Sequence, residues 1–81
     1  MGKNVFDELF ATLSRITSKY TIREKLSLLE KAENESGLTL GNSVQTFSES
    51  CHWREIMQFV PEGYRLDVLA RAIKLAERRK P

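Results

Sequence analysis

The sequence predicts an all-α fold, a single small domain of four to five helices over residues 1–81. Three observations predict it: apolar residues recur at three- and four-residue steps, helix caps punctuate those runs, and no segment alternates apolar and polar residues as a half-buried strand does. With 81 residues and 41% apolar content, one core is the limit. A chain of this size buries roughly 60 to 65% of the surface its extended form exposes.

The first helix is expected from Asn4 to Lys19, with Val5, Phe6, Leu9, Phe10, Leu13 and Ile16 on one stripe. Asn4 can cap its free amides, Asp7 and Glu8 suit the positive end of the helix dipole, and Arg15 and Lys19 the negative end. Thr21-Ile22-Arg23-Glu24 reads as a capping box that opens the second helix. Its buried face is Ile22, Leu26, Leu29 and Ala32, widened by Leu28, and Gly37 stands where a left-handed residue ends a helix. So short a connection at Tyr20 implies a hairpin or a steep corner between the two.

Between Leu38 and Val60 the helical phase shifts at Ser48-Glu49-Ser50, so a break is expected rather than one straight helix across 41–59. The expected pieces are a short helix from Gly41 to Phe47 and another from Cys51 to Phe59, capped by Ser50 or Ser48. Val60-Pro61-Glu62-Gly63 fits a type I turn, after which a last helix starts near Tyr64 with Leu66, Leu69, Ala70, Ile73 and Ala76 inward.

Composition bounds the function. No apolar stretch approaches the roughly 20 residues that span a bilayer, and Met1-Gly2-Lys3-Asn4 leads into an acidic amphipathic segment unlike a secretory signal, so no membrane association and a cytoplasmic location are expected. A single cysteine excludes an internal disulfide framework. Cys51 and His52 are neighbours, which on a helix point about 100° apart, so they form no thiolate and base pair. No second His or Cys completes a zinc set, and no glycine-rich phosphate loop is present. The chain is therefore read as no enzyme, with no catalytic residues, no metal and no cofactor.

Charge is uneven. Through Ser36 there are six basic and six acidic residues, and from Gly37 onward seven basic and five acidic. Arg71, Lys74 and Arg78 are spaced to share an outer face of the last helix. Such a stripe suits phosphate, an acidic protein surface, or simply water.

Ser36-Gly37-Leu38-Thr39 reads like the opening of the first helix of a helix-turn-helix unit, and Leu66-Asp67-Val68-Leu69-Ala70-Arg71-Ala72 like the helix after its recognition helix. On these residues the half of the chain from Glu35 resembles the helix-turn-helix domain of the phage Cro/C1 repressor type, although Ser48-Glu49-Ser50 lacks the glycine usual in its turn. The resemblance implies duplex DNA as partner and a homodimer on half-sites one helical turn apart. It implies that His52, Arg54 and Gln58 face base edges while Arg71, Lys74 and Arg78 meet phosphates.

The competing expectation comes from surplus apolar residues. Val5, Phe6, Phe10, Leu28, Leu40, Trp53, Phe59, Val68 and Leu75 exceed what one stripe per helix hides. Phe10, Trp53 and Phe59 are the expected protein-interface residues. A small helical protein-interaction or regulatory module, self-associating and acting by binding, is the leading reading, with the DNA-binding regulator as the alternative.

Overall fold

The computed structural model describes residues 4–38 and 51–79 as four helices: α1 (Val5–Ile16), α2 (Ile22–Glu35), α3 (Trp53–Met57) and α4 (Glu62–Arg78). The fold is all-helical, with no strand among the described residues. The helix expected over 41–47 lies outside them, as do Leu40 and the residues Ser48 and Ser50 expected to cap the next helix, whose N-cap is His52 instead.

Contacts within a few residues set the helix ends. Asn4 Oδ1 accepts from the Phe6 amide at 2.8 Å. The capping box forms in both directions: the Glu24 amide donates to Thr21 Oγ1 at 3.2 Å, and the Thr21 amide donates to the Glu24 carboxylate at 2.8 Å. α2 ends in a Schellman motif, the Leu38 amide donating to the Glu33 carbonyl at 2.9 Å and the Gly37 amide to that of Asn34 at 3.1 Å. Gly37 has φ +91°, which only glycine adopts without strain.

Three helices differ from expectation at their ends. α1 closes at Ile16, with Thr17 as its C-cap, rather than at Lys19. α3 spans Trp53–Met57, not Cys51 to Phe59: the chain beyond it tightens, with the Phe59 and Val60 amides donating to the carbonyls three residues back, Ile56 and Met57. α4 starts at Glu62, two residues earlier than Tyr64. The Val60 carbonyl that a type I turn would pair with Gly63 accepts instead from Arg65 Nε at 2.8 Å, and the Tyr64 amide donates to the Pro61 carbonyl.

α4 is the central element, with α1 and α2 both packed along it and α3 against α1. The main partner of α2 is thus α4 rather than α1. The Tyr20 ring lies 5.2 Å from the Arg79 guanidinium, while Phe6 and Phe10 share a groove with Glu62 and Arg65, so α1 and α4 run parallel. Glu35 reaches Arg71 at 3.7 Å, so α2 runs antiparallel to α4.

Being gripped from two sides rotates the buried face of α4. Val68, Leu69, Ala72 and Ala76 are buried, Ala70 and Ile73 half-buried, and Leu66, expected inward, is exposed. Val68 and Leu28, counted as surplus, are core. So is Trp53, which corrects its assignment to an interface: it is 1% exposed. Its indole Nε1–H donates to Thr17 Oγ1 at 2.7 Å, and that hydroxyl donates to the Leu13 carbonyl at 2.7 Å. The residue is committed to tying α3 to the end of α1.

Candidate functional site

The candidate site is a groove at the end of the molecule where α1 and α4 begin. The Asn4 cap fixes the start of α1, which places Phe6 and Phe10 one turn apart, their ring centroids 6.5 Å from each other. On α3, Trp53, Ile56 and Met57 turn into the core, which leaves Arg54 and Gln58 on the outer side. The α3 start is held by the Glu55 carboxylate, which accepts from the His52 amide at 3.0 Å. Asn4, Phe6, Phe10, Arg54, Met57 and Gln58, together with Glu62 and Arg65 of α4, line this open groove of about 420 Å³.

Both arginines at the groove are anchored. Arg54 donates to Asp7 at 2.6 Å and lies 4.9 Å from the Phe10 ring centroid, so it joins α3 to α1. With both side chains more than half exposed, that ion pair contributes about 0 to 1 kcal/mol. Arg65 spends Nε on the Val60 carbonyl and Nη2 on that of Gln58, at 2.8 and 3.3 Å. These bonds hold the α3–α4 corner in place.

Arg71, Lys74 and Arg78 do share a concavity, of about 250 Å³, with Glu35, Asp67, Ala70 and Leu75. Two carboxylates line it as well. Arg71 Nε donates to both Asp67 oxygens at 3.1 Å and faces Glu35, so its charge is met within the chain. The Asp67 carboxyl is held below the usual carboxylate range by the Ser36 hydroxyl first and Arg71 second. Ser36 Oγ is buried and makes no well-aligned hydrogen bond, so its approach to Asp67 is a loose one.

The residues assigned to nucleic acid are thus divided: Arg54 and Gln58 line the groove beside Phe10, Arg71, Lys74 and Arg78 line the α4 cleft, and His52 caps α3 on an exposed surface. Phe59 is exposed beside Gln58. Phe6, Met57, Glu62 and Arg65 were not singled out by the sequence as site residues. The four-residue step from Phe6 to Phe10 was a signal for the first, but Asp7 and Arg54 meet across 47 positions that no local pattern links. Among the described residues, no three His, Cys, Asp or Glu side chains converge as metal ligands, and no helix is long and apolar enough to cross a membrane. Comparison with protein-family models, curated proteins and solved structures finds no match.

Proposed function

We propose that the chain is a small helical interaction module that works by binding a protein surface in the groove of α1, α3 and the start of α4. One observation carries this reading: Phe6, Phe10 and Met57 line the groove as apolar groups beside the polar side chains of Arg54, Gln58, Glu62 and Arg65. A concavity with apolar groups and a few polar ones around them has the character of a contact surface. Covering it returns about 25 cal/mol per Å² of apolar area.

The DNA-binding alternative draws less support. Each phosphate neutralised needs an available cation, and Arg54 and Arg71 are already engaged by carboxylates. α3 is also only 5 residues long, with Trp53, Ile56 and Met57 of it buried, which leaves little surface for reading bases.

A photo-crosslinking residue tests the proposal when placed at Gln58 in the groove or at Ser27, exposed on α2. The expected result is a protein adduct, identified by mass, from position 58 and none from position 27. Salt-sensitive retardation of duplex DNA by the wild type, abolished by Arg71→Glu with Lys74→Glu, would replace it with the repressor-type reading.

A further inference from the structure

We propose that the end of the molecule opposite the groove is a cationic surface that binds the phosphate backbone of duplex nucleic acid without reading its sequence. The chain path builds this surface. Because α1 and α4 run parallel and α2 runs antiparallel to α4, the end of α1, the start of α2 and the end of α4 meet at one pole. Tyr20, in the α1–α2 corner, marks the meeting point, its ring lying 5.2 Å from the Arg79 guanidinium. Lys19 precedes that tyrosine, and Arg15 stands one turn back along α1. Arg23 and Lys25 are at the opening of α2, and Arg78 is the last residue of α4. Lys25 is half-buried and the other five basic residues of the pole are exposed.

Among the described residues the pole holds six basic side chains against two carboxylates, Glu24 and Glu77, a balance of +4 where the whole chain carries +2. The capping box turns Glu24 back onto the Thr21 amide at 2.8 Å. None of the six cations takes part in an ion pair among the described residues, whereas Arg54 at the groove and Arg71 in the α4 cleft are met by carboxylates. Helix dipoles change the balance little: two helix C-termini bring about −0.5 each and one N-terminus about +0.5.

The class of partner follows from what accompanies this charge. The exposed large apolar side chains, Val5, Phe59, Tyr64 and Leu66, all lie at the starts of α1 and α4 or just before α4, away from the pole. A protein interface is built on an apolar centre, and a helix that docks on a membrane buries an apolar face. The pole offers charge without either. Four of its six cations are arginines, whose planar fork matches phosphate oxygens. Phosphate contacts of this kind give affinity and carry no base sequence.

Fluorescence anisotropy with labelled duplexes of about 20 base pairs, in two unrelated sequences and from about 20 to 200 mM salt, tests this. The wild type should bind both alike, with a dissociation constant between about 1 and 100 µM at low salt and a log–log salt slope of about −3 to −5. Lys19→Gln with Arg23→Gln should make that slope shallower by about 2 and weaken binding at least about tenfold. Lys31→Gln with Arg54→Gln removes the same charge elsewhere and should leave the slope unchanged. Circular dichroism and melting of both variants should match the wild type. No binding at about 20 mM salt overturns the proposal. So does an equal loss in the two variants, because binding would then follow net charge and not the pole. Preference for one sequence, abolished by Arg71→Glu with Lys74→Glu, overturns it in favour of the α4 cleft. Tighter binding to polyglutamate or to phosphatidylserine vesicles than to DNA at equal salt overturns nucleic acid as the partner.

Discussion

Replacing Thr17 by Val tests the principal long-range polar contact of the core. Valine keeps the branched shape, so little volume is lost, and only the hydroxyl goes. The Leu13 carbonyl remains satisfied because it also accepts from the Thr17 amide at 2.9 Å. The whole cost therefore falls on the Trp53 indole, whose N–H is left in a site that is 1% exposed. An orphaned buried donor costs about 1 to 3 kcal/mol. A chain of this length has a total stability of about 4 to 12 kcal/mol, so the loss is a large share of it. In urea, where small domains lose roughly 1 to 3 kcal/mol per molar, a loss near 2 kcal/mol moves the midpoint by about 1 M. A double-mutant cycle with Trp53→Phe isolates the contact, since phenylalanine has no N–H to orphan. The coupling expected is about 1 to 2 kcal/mol. A loss below about 0.5 kcal/mol, or one that Trp53→Phe leaves unchanged, would refute the reasoning.

Gly37→Ala should destabilise by about 1 to 2 kcal/mol because φ is +91° there, even though an added Cβ meets nothing within 4 Å. Gly63→Ala should do the reverse, gaining about 0.5 to 1 kcal/mol, because that glycine is inside α4 with the same open space and no positive φ. Glu33 is 7% exposed and its pKa is raised above 4.5, by burial first and Glu30 second. Its protonated form is favoured in the folded state, so the stability it contributes is present below 4.5 and is lost as pH rises through the folded value. Thermal melts of Glu33→Gln should therefore exceed the wild type at pH 7, with the difference shrinking as pH falls toward 4.5.

What the sequence made legible is what short contacts decide. Asn4, the Thr21 to Glu24 box and Gly37 work through partners two to five residues away, and they appear where they were read. The ambiguity at Pro61 is physical, since a type I turn and the first turn of a helix share an i to i+3 pattern; the Arg65 side chain decides it by taking the Val60 carbonyl. Burial on α4 was misjudged because a single-stripe reading assumes one packing partner, and α4 has α1 on one side and α2 on the other. For the site, Phe10, Arg54 and Gln58 were visible as chemistry but assigned to different surfaces. Only tertiary packing puts them in one groove, through contacts such as Arg54 to Asp7 at 2.6 Å.

The groove lies where the fold runs out of cover. The buried residues of α4 begin at Val68, and before it Arg65 is half-buried while Glu62, Gly63, Tyr64, Leu66 and Asp67 are exposed. Further along, Ala72 and Ala76 are small enough for neighbouring helices to close on them, and the core is dense there. Burial and exposure thus divide one helix, and this separates the responses of its two stretches to substitution. Leu29→Ala, deep in the core, should cost about 2 to 5 kcal/mol of folding stability, and half-buried Leu26→Ala should cost less. Leu66→Ser, on the exposed start of α4, should leave folding stability within the usual surface range of about 0.5 kcal/mol. If Leu66→Ser lowers the melting temperature as Leu29→Ala does, the start of α4 belongs to the core and the division between fold and surface fails.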